Sequence, residues 1–498
     1  MSKFNALISS ALRTINLAGG EAFRQPEKTE FASLLLTSFA ASQFYRDENE
    51  TLARVKKLAR GISDKRFVAK AAIYARREFG MRSVSHAVAA ELAAVVKGEA
   101  WLKTFFTAVV LRPDDITEIL AYYLATYGAP VPNAMKKGLG AAFEKFDAYQ
   151  LAKYRGEGKT VSLVDAANLC HPKPTVGNRE ALALLMKGKL RSTETWESKL
   201  TSAGQAASSE TEKDELKQAA WTSLILERKL GYFALLRNLR NILAATEPQT
   251  VFSVDVDGEA TKQVKTNEEV LAAALQMLTN ERLIKTSLVL PFRFLTALKE
   301  IEKTSFVGTN KVIAALSKAI DLALSNVPKF EGRTLVVLDV SGSMAGRPAE
   351  IGALFAATLV KACEADLITF SDKAQYRAVN VLDSVLTVAK SLTFAAGGTN
   401  FHSIFETARR AYARVVILSD MQGWIGQSAP VKAFADYKRR TNAAPKIYSF
   451  DLAGHGTTQF PEKDIVCLAG FSDKVFEVME RLEEDRDALV KTIEQIGL

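Results

Sequence analysis

Near residue 330 the hydrophobic rhythm of the chain changes, and this change constrains the fold more than any other feature. Before it, apolar residues recur at helical spacing, as in "EFASLLLTSFAASQFYR", "KRFVAKAAIYARREFG", "SVSHAVAAELAAVVKG" and "WLKTFFTAVVLR". That is the pattern of amphipathic helices. After it, short apolar runs ("TLVVLDV", "DLITF", "RVVILSD", "KIYSFDLAG") alternate with helical stretches. Strand–helix alternation predicts a parallel sheet covered on both faces. The run Leu335 to Leu338 is apolar throughout, so its strand is expected to be buried on both sides. The fold class is therefore mainly α plus α/β, in two domains, residues 1–330 and residues 331–498.

Within the first domain, Pro113, Pro132, Pro172 and Pro174 fall at breaks between helical segments, where proline is tolerated. Short helices joined by short turns suggest stacked antiparallel pairs, as in α-solenoids. One β-like patch, "TVFSVDVDGEATKQV", reads as a hairpin turning at Asp257-Gly258.

At 498 residues the chain exceeds one ordinary core. No apolar run reaches the roughly 20 residues needed to cross a bilayer, and the N-terminus lacks a signal-like pattern. A cytoplasmic protein is expected. The three cysteines (Cys170, Cys363, Cys467) and four histidines are scattered, which excludes a disulfide framework and a zinc site of the Cys/His kind. Charge is unevenly divided. Residues 1–330 carry 46 Lys and Arg against 35 Asp and Glu, whereas residues 331–498 carry 19 against 21. All the positive excess lies in the helical part, which favours an acidic partner, with nucleic acid the first candidate. An ordinary solubility charge would look the same.

Polar residues gather where the second domain's strands should end: Asp339, Ser341 and Ser343 in "DVSGSM", Thr399 in "AAGGTNF", and Asp420 closing "VVILSD". If the two strands are neighbours, their tips converge at the edge where open α/β sheets bind ligands. Such a set suits Mg²⁺, a hard cation that takes oxygen ligands and keeps several waters. Ser341, Ser343 and Thr399 could supply neutral oxygens, with Asp339 and Asp420 holding coordinated water. Singly, each has a plainer role as a turn residue, a helix cap or a solvated carboxylate.

"DVSGSM", Thr399 and "LSD" resemble the metal-ion-dependent adhesion site of von Willebrand factor A domains. That resemblance covers the last third of the chain. It implies a doubly wound sheet that recruits partners through a metal and is not itself catalytic. The first 330 residues resemble the TROVE domain of the Ro autoantigen family, in its bacterial form. The matches are "FYRDENET", "AAIYARREFGMRS", "QLAKYRGEGKTVSLVDAANLCHPKP", "TWE" at 195–197, "ALLRNLRNI" and "RLIKTSLVLPFRFLTALKEIE". The resemblance implies a ring-like α-solenoid of HEAT-like helical repeats. In that family, single-stranded 3′ ends of misfolded RNA enter a basic hole and small noncoding Y RNAs grip the outside. Bacterial members act in RNA turnover with a 3′ exonuclease, polynucleotide phosphorylase. Lys153 and His171 match positions lining the hole; Arg155 and Lys159 are further candidates, in a loop whose length differs from the family's. Arg237 fits a structural role equally well, and Phe292 and Phe294 read as core.

The expected function is that of a ribonucleoprotein component, monomeric without RNA, serving RNA quality control. The alternative is a protein adaptor that uses the repeats and the metal site without RNA. The chain has no G-x-S-x-G elbow, H-E-x-x-H or P-loop, so no enzyme is expected.

Overall fold

A computed structural model describes residues 13–15, 21–23, 27–37, 48–191, 196–254, 260–265, 267–394, 397–421, 423, 430–452, 465–469, 476, 479 and 488–498. None of the described helices is long and apolar enough to cross a membrane. Two short antiparallel pairs accompany the helices: β1 (Arg13–Ile15) with β2 (Glu21–Phe23), and β3 (Gln249–Val254) with β4 (Ala260–Lys265). The second pair is the expected hairpin; its turn at Asp257-Gly258 lies outside the described residues.

The helices follow from local chemistry. Ser162 accepts from the amide of Asp165, whose carboxylate accepts back from the Ser162 amide, a capping box that starts Leu163–Cys170. Asp147 and Gln150 do the same for Ala148–Lys153. Pro113 and Pro291 stand in the first turns of their helices, where proline loses no hydrogen bond.

The helical region has two hydrophobic cores. One runs from Phe31 to Leu190, and the other from Trp221 to Ala323. Both continue into the α/β part, and both draw on one helix there, Arg347–Cys363. Its Ile351, Phe355 and Leu359 join the first core, and its Leu354 and Ala357 join the second. Phe355 lies 5.4 Å from the Phe292 ring and 4.9 Å from that of Phe450, linking the helices to the sheet. At the other end, the C-terminal helix Ala488–Glu494 meets the first helices: Lys28 pairs with Glu494 at 2.8 Å, and Lys70 donates to the Glu494 carbonyl at 2.6 Å. Lys390–Glu302 (3.6 Å), Lys361–Asp321 (3.8 Å) and Lys299–Glu350 tie the last helices to the same domain. Both ends of the helical array are thus held by the α/β domain, which closes a circuit around the molecule.

The α/β domain has β5 (Thr334–Asp339), β6 (Asp366–Phe370), β7 (Ala374–Arg377), β8 (Arg414–Ser419), β9 (Lys446–Asp451) and β10 (Ile465–Ala469), in the order β10-β9-β8-β5-β6-β7. All neighbours are parallel except the β6–β7 pair. Strand β5 is buried along its whole length. Its Val336 and Leu338 face one core, while Leu335 and Val337 face another built on Phe401, Ile404 and Phe434. This two-sided burial explains why the run shows no alternation. The chain leaves β5 for β6 on one side and later returns to β8 on the other, so the switch point lies between β5 and β8.

Candidate metal centre and nucleic-acid interface

The β5–β8 pairing brings Asp339, at the end of β5, beside Asp420, just after β8. Asp339 is fully buried. Its Oδ1 accepts from the Ser341 amide at 2.9 Å, and its Oδ2 accepts from the Ser419 hydroxyl at 2.5 Å. Ser419 in turn accepts from the Met421 amide at 3.0 Å. Met421 is buried with φ 58°, a left-handed conformation unusual for such a side chain. The Ser341 and Ser343 hydroxyls are 3.2 Å apart. The loop bearing Thr399 is drawn in by the Gly342 amide, which donates to the Gly397 carbonyl at 3.1 Å. Asp372 steadies that loop by accepting from the Gly398 amide at 2.9 Å. A Cβ at Gly397 would stand 3.0 Å from the Asp372 carboxylate, so glycine permits this close approach.

Asn400, not Thr399, serves the following helix: its side-chain oxygen accepts from the Ser403 amide at 3.3 Å. The Thr399 hydroxyl makes no hydrogen bond among the described residues and is nearly buried. Burial pushes the Asp339 carboxyl up to about 7, and the charge of Asp420 adds to this against the hydrogen bonds from Ser341 and Ser419. The Asp339 hydrogen-bond partners are neutral donors and the neighbouring charge is a second carboxylate. Such a group of oxygens could hold a divalent cation. Ser419 and Asp372 were not singled out in the sequence, although both stand at strand ends in "LSD" and "FSD".

On the helical side, Lys153 ends Ala148–Lys153 with its ammonium 5.8 Å from the Tyr149 ring centre and 5.6 Å from that of Tyr154. It lines a cleft of about 810 Å³ together with Tyr149, Trp196, Lys199, Leu224 and Lys229; Glu197 also borders it. Tyr149 is 54% exposed. Trp196 lies 6.0 Å from Trp221, centre to centre. Lys199 donates to Ser223 at 2.5 Å and stands 3.9 Å from Glu227. The cleft spans the seam between the two helical cores, with Tyr149 and Lys153 on one side and Trp196, Lys199 and Leu224 on the other.

His171 follows Leu163–Cys170 as its C-cap, exposed and left-handed at φ 48°. It does not line the Lys153 cleft. Arg155 is mostly buried; it donates to the Leu190 carbonyl and pairs with Glu157 at 2.9 Å. Lys159 is exposed and pairs with Glu118 at 2.9 Å. Arg155 thus ties its loop to the end of the first helical half, and Lys159 reaches an acid on another helix. Phe294 is fully buried, and Phe292 packs edge-on to Phe355. Tyr149, Lys199 and Lys229 went unnoticed in the sequence, and Trp196 stood out only within "TWE", because the cleft joins segments far apart in the chain.

The sequence matches the TROVE domain in two stretches, residues 36–187 and 185–341. The chain belongs to the TROVE-domain family. The boundary between the two TROVE matches coincides with the seam between the helical cores. Among similar proteins, RNA-binding protein RO60 of Deinococcus radiodurans is 28% identical over 198 residues, 36% of this chain and 36% of that protein. Telomerase protein component 1 of Rattus norvegicus is 24% identical over 158 residues, 28% of this chain and 6% of that protein. The matches thus span well under two thirds of either relative. In structure, the chain resembles the Deinococcus radiodurans RO (RSR) protein with a TM-score of 0.62 and 18% identity, over 94% of this chain and 99% of that one. The TROVE helices and the α/β domain both fall within that fold.

Proposed function

We propose that this protein binds RNA through its helical part and holds a divalent metal, Mg²⁺ by its chemistry, on its α/β part. The observation that carries the RNA reading is the seam cleft. Lysines supply point charges for phosphate, and Tyr149 and Trp196 offer flat faces for bases, in a TROVE protein whose similar relative is named an RNA-binding protein. The positive excess of residues 1–330 acts in the same direction. The ligand is the single-stranded 3′ end of a misfolded RNA, with a Y-like noncoding RNA as the second class, in RNA quality control or turnover. A 3′ exonuclease such as polynucleotide phosphorylase is the natural consumer of a presented end. The protein itself acts as a binding component in the cytoplasm rather than as an enzyme.

The metal would be held by Ser341, Ser343 and Thr399, with Asp339 and Asp420 behind. Few protein anions would leave it electrophilic, so it would accept an acidic side chain from a protein partner. This chain's own contribution is positional: Ser419 and the Ser341 amide fix the Asp339 carboxylate, and Asp372 fixes the Thr399 loop.

The test compares RNA with a single-stranded 3′ tail against the same duplex made blunt, by mobility shift. Wild type should prefer the tailed RNA, and Lys153→Ala should lose that preference. Equal binding of both RNAs by wild type would rule out end recognition.

A further inference from the structure

A groove of about 800 Å³ opens where two loops meet on the first helical half. One loop joins Ser83–Val95 to Trp101–Val109, and the other joins Pro113–Tyr127 to Asn133–Ala142. The buried Leu102 and Phe106, with Tyr123 at 7% exposed, make its floor. Tyr127 follows Tyr123 by one helical turn, with ring centres 5.2 Å apart, and also lines the groove. The Tyr127 hydroxyl is taken: it donates to the buried Glu91 carboxylate and accepts from Arg60 at 2.9 Å. The Tyr123 hydroxyl, by contrast, makes no hydrogen bond among the described residues. Lys97 and Lys136 also line the groove, and neither has a carboxylate within ion-pair distance among the described residues. Glu99 borders it too and accepts from the Trp101 indole N–H at 3.0 Å. The groove shares no residue with the Lys153 cleft.

Each part selects a feature of a ligand. A concave site of this size, lined by apolar and aromatic side chains with few polar groups, suits a small organic molecule. Three aromatic rings favour a flat ring, packed edge-on or offset. A hydroxyl on so buried a residue is costly unless something bonds it, and a tyrosine can donate to an oxygen. Two lysines without acidic partners favour an anion over a neutral group. A nucleobase suits the floor poorly, because its polar edges would be left unpaired there. We propose that this groove is a binding site for a small aromatic carboxylate. Its ring lies against Phe106, Tyr123 and Tyr127, while its carboxylate accepts from Tyr123 and faces Lys97 and Lys136. The site is separate from the RNA reading and stands without it.

The test titrates the full chain with 2-naphthoate by calorimetry, and with 2-naphthamide as its neutral counterpart. Wild type should bind the carboxylate at one saturable site and the amide more weakly. Tyr123→Phe keeps the ring and should weaken 2-naphthoate about 10- to 150-fold, the worth of a hydrogen bond to a charged group. Lys97→Gln with Lys136→Gln should weaken it about two- to thirtyfold, as two exposed ion pairs would, and should bring the carboxylate towards the amide. Ala134→Trp, on the groove's lining, should block both ligands. The lysine variant should melt like wild type, since its changes are near the surface. If Ala134→Trp melts lower, Tyr123→Phe and the lysine variant decide the matter. Uridine monophosphate in excess should leave 2-naphthoate bound. Displacement by it would make the groove a nucleotide site and overturn the proposal. So would equal affinity of wild type for carboxylate and amide, the absence of saturable binding, or 2-naphthoate binding that Tyr123→Phe and the lysine variant both retain in full.

Discussion

Asp115 is the most demanding test of how the first helical half is held together. It is fully buried and accepts at both oxygens. Arg76 donates to Oδ2 at 3.1 and 2.8 Å, Arg82 to Oδ1 at 3.2 Å, and His86 meets Oδ1 at 3.0 Å. The amides of Leu111 and Arg112 also donate to Oδ2, at 2.9 and 3.0 Å, so the same carboxylate starts Pro113–Tyr127. Burial alone would push its carboxyl up; the hydrogen bond and charge of His86 and the charge of Arg76 outweigh this and hold it well below the usual range. Asp115→Asn keeps the shape but removes the anion, leaving Arg76 buried without its partner. Breaking a buried pair costs about 3–5 kcal/mol, so urea unfolding followed by circular dichroism should show a loss of that size near neutral pH. The sign with pH follows from the depressed pKa: stability from ionised Asp115 is present above the ordinary value of 3.8 and fades as pH falls through the lower folded value. The gap between wild type and variant should therefore narrow below about pH 4. A loss under about 1 kcal/mol, or a gap that does not narrow in acid, would refute the reasoning.

Other expectations follow from the same geometry. Phe355→Ala should cost about 3–5 kcal/mol, because the ring is fully buried where helices meet sheet; unfolding by denaturant measures it. Asp339→Asn should lower Mg²⁺ affinity by about 10- to 100-fold, as losses behind a metal's direct ligands do, and calorimetric titration would read it. His171→Ala should weaken RNA binding with little change in salt slope, since an imidazole contributes stacking or hydrogen bonding more than phosphate charge; titration at several salt concentrations separates the two.

The sequence revealed the sheet and the polar cluster at its strand tips more fully than the seam cleft, and the reason is physical. A strand buried on both faces must be apolar from end to end, so Leu335 to Leu338 declared itself, and its polar tip followed. That β5 and β8 are neighbours is only a supposition from the sequence; the pairing itself is a long-range feature that the fold supplies. Ser419 was less visible because a serine before an aspartate also suits a turn. The seam cleft depends on helix packing across the break between two cores, which periodicity cannot show. Arg155 and Lys159 illustrate the limit: as letters they are two cations in a loop. Only the fold reveals that one binds the Leu190 carbonyl and the other pairs with Glu118, 41 positions away.

The central claim is that RNA binding belongs to the helices and metal binding to the sheet tip. It is tested most directly by titrating a 3′-tailed RNA with EDTA present, using wild type, Lys153→Ala and Asp339→Asn. The account predicts that wild type and Asp339→Asn bind alike without metal, while Lys153→Ala is weaker and its salt slope is smaller by about 0.7. Loss of wild-type binding on chelation, or equal losses in the two variants, would contradict it.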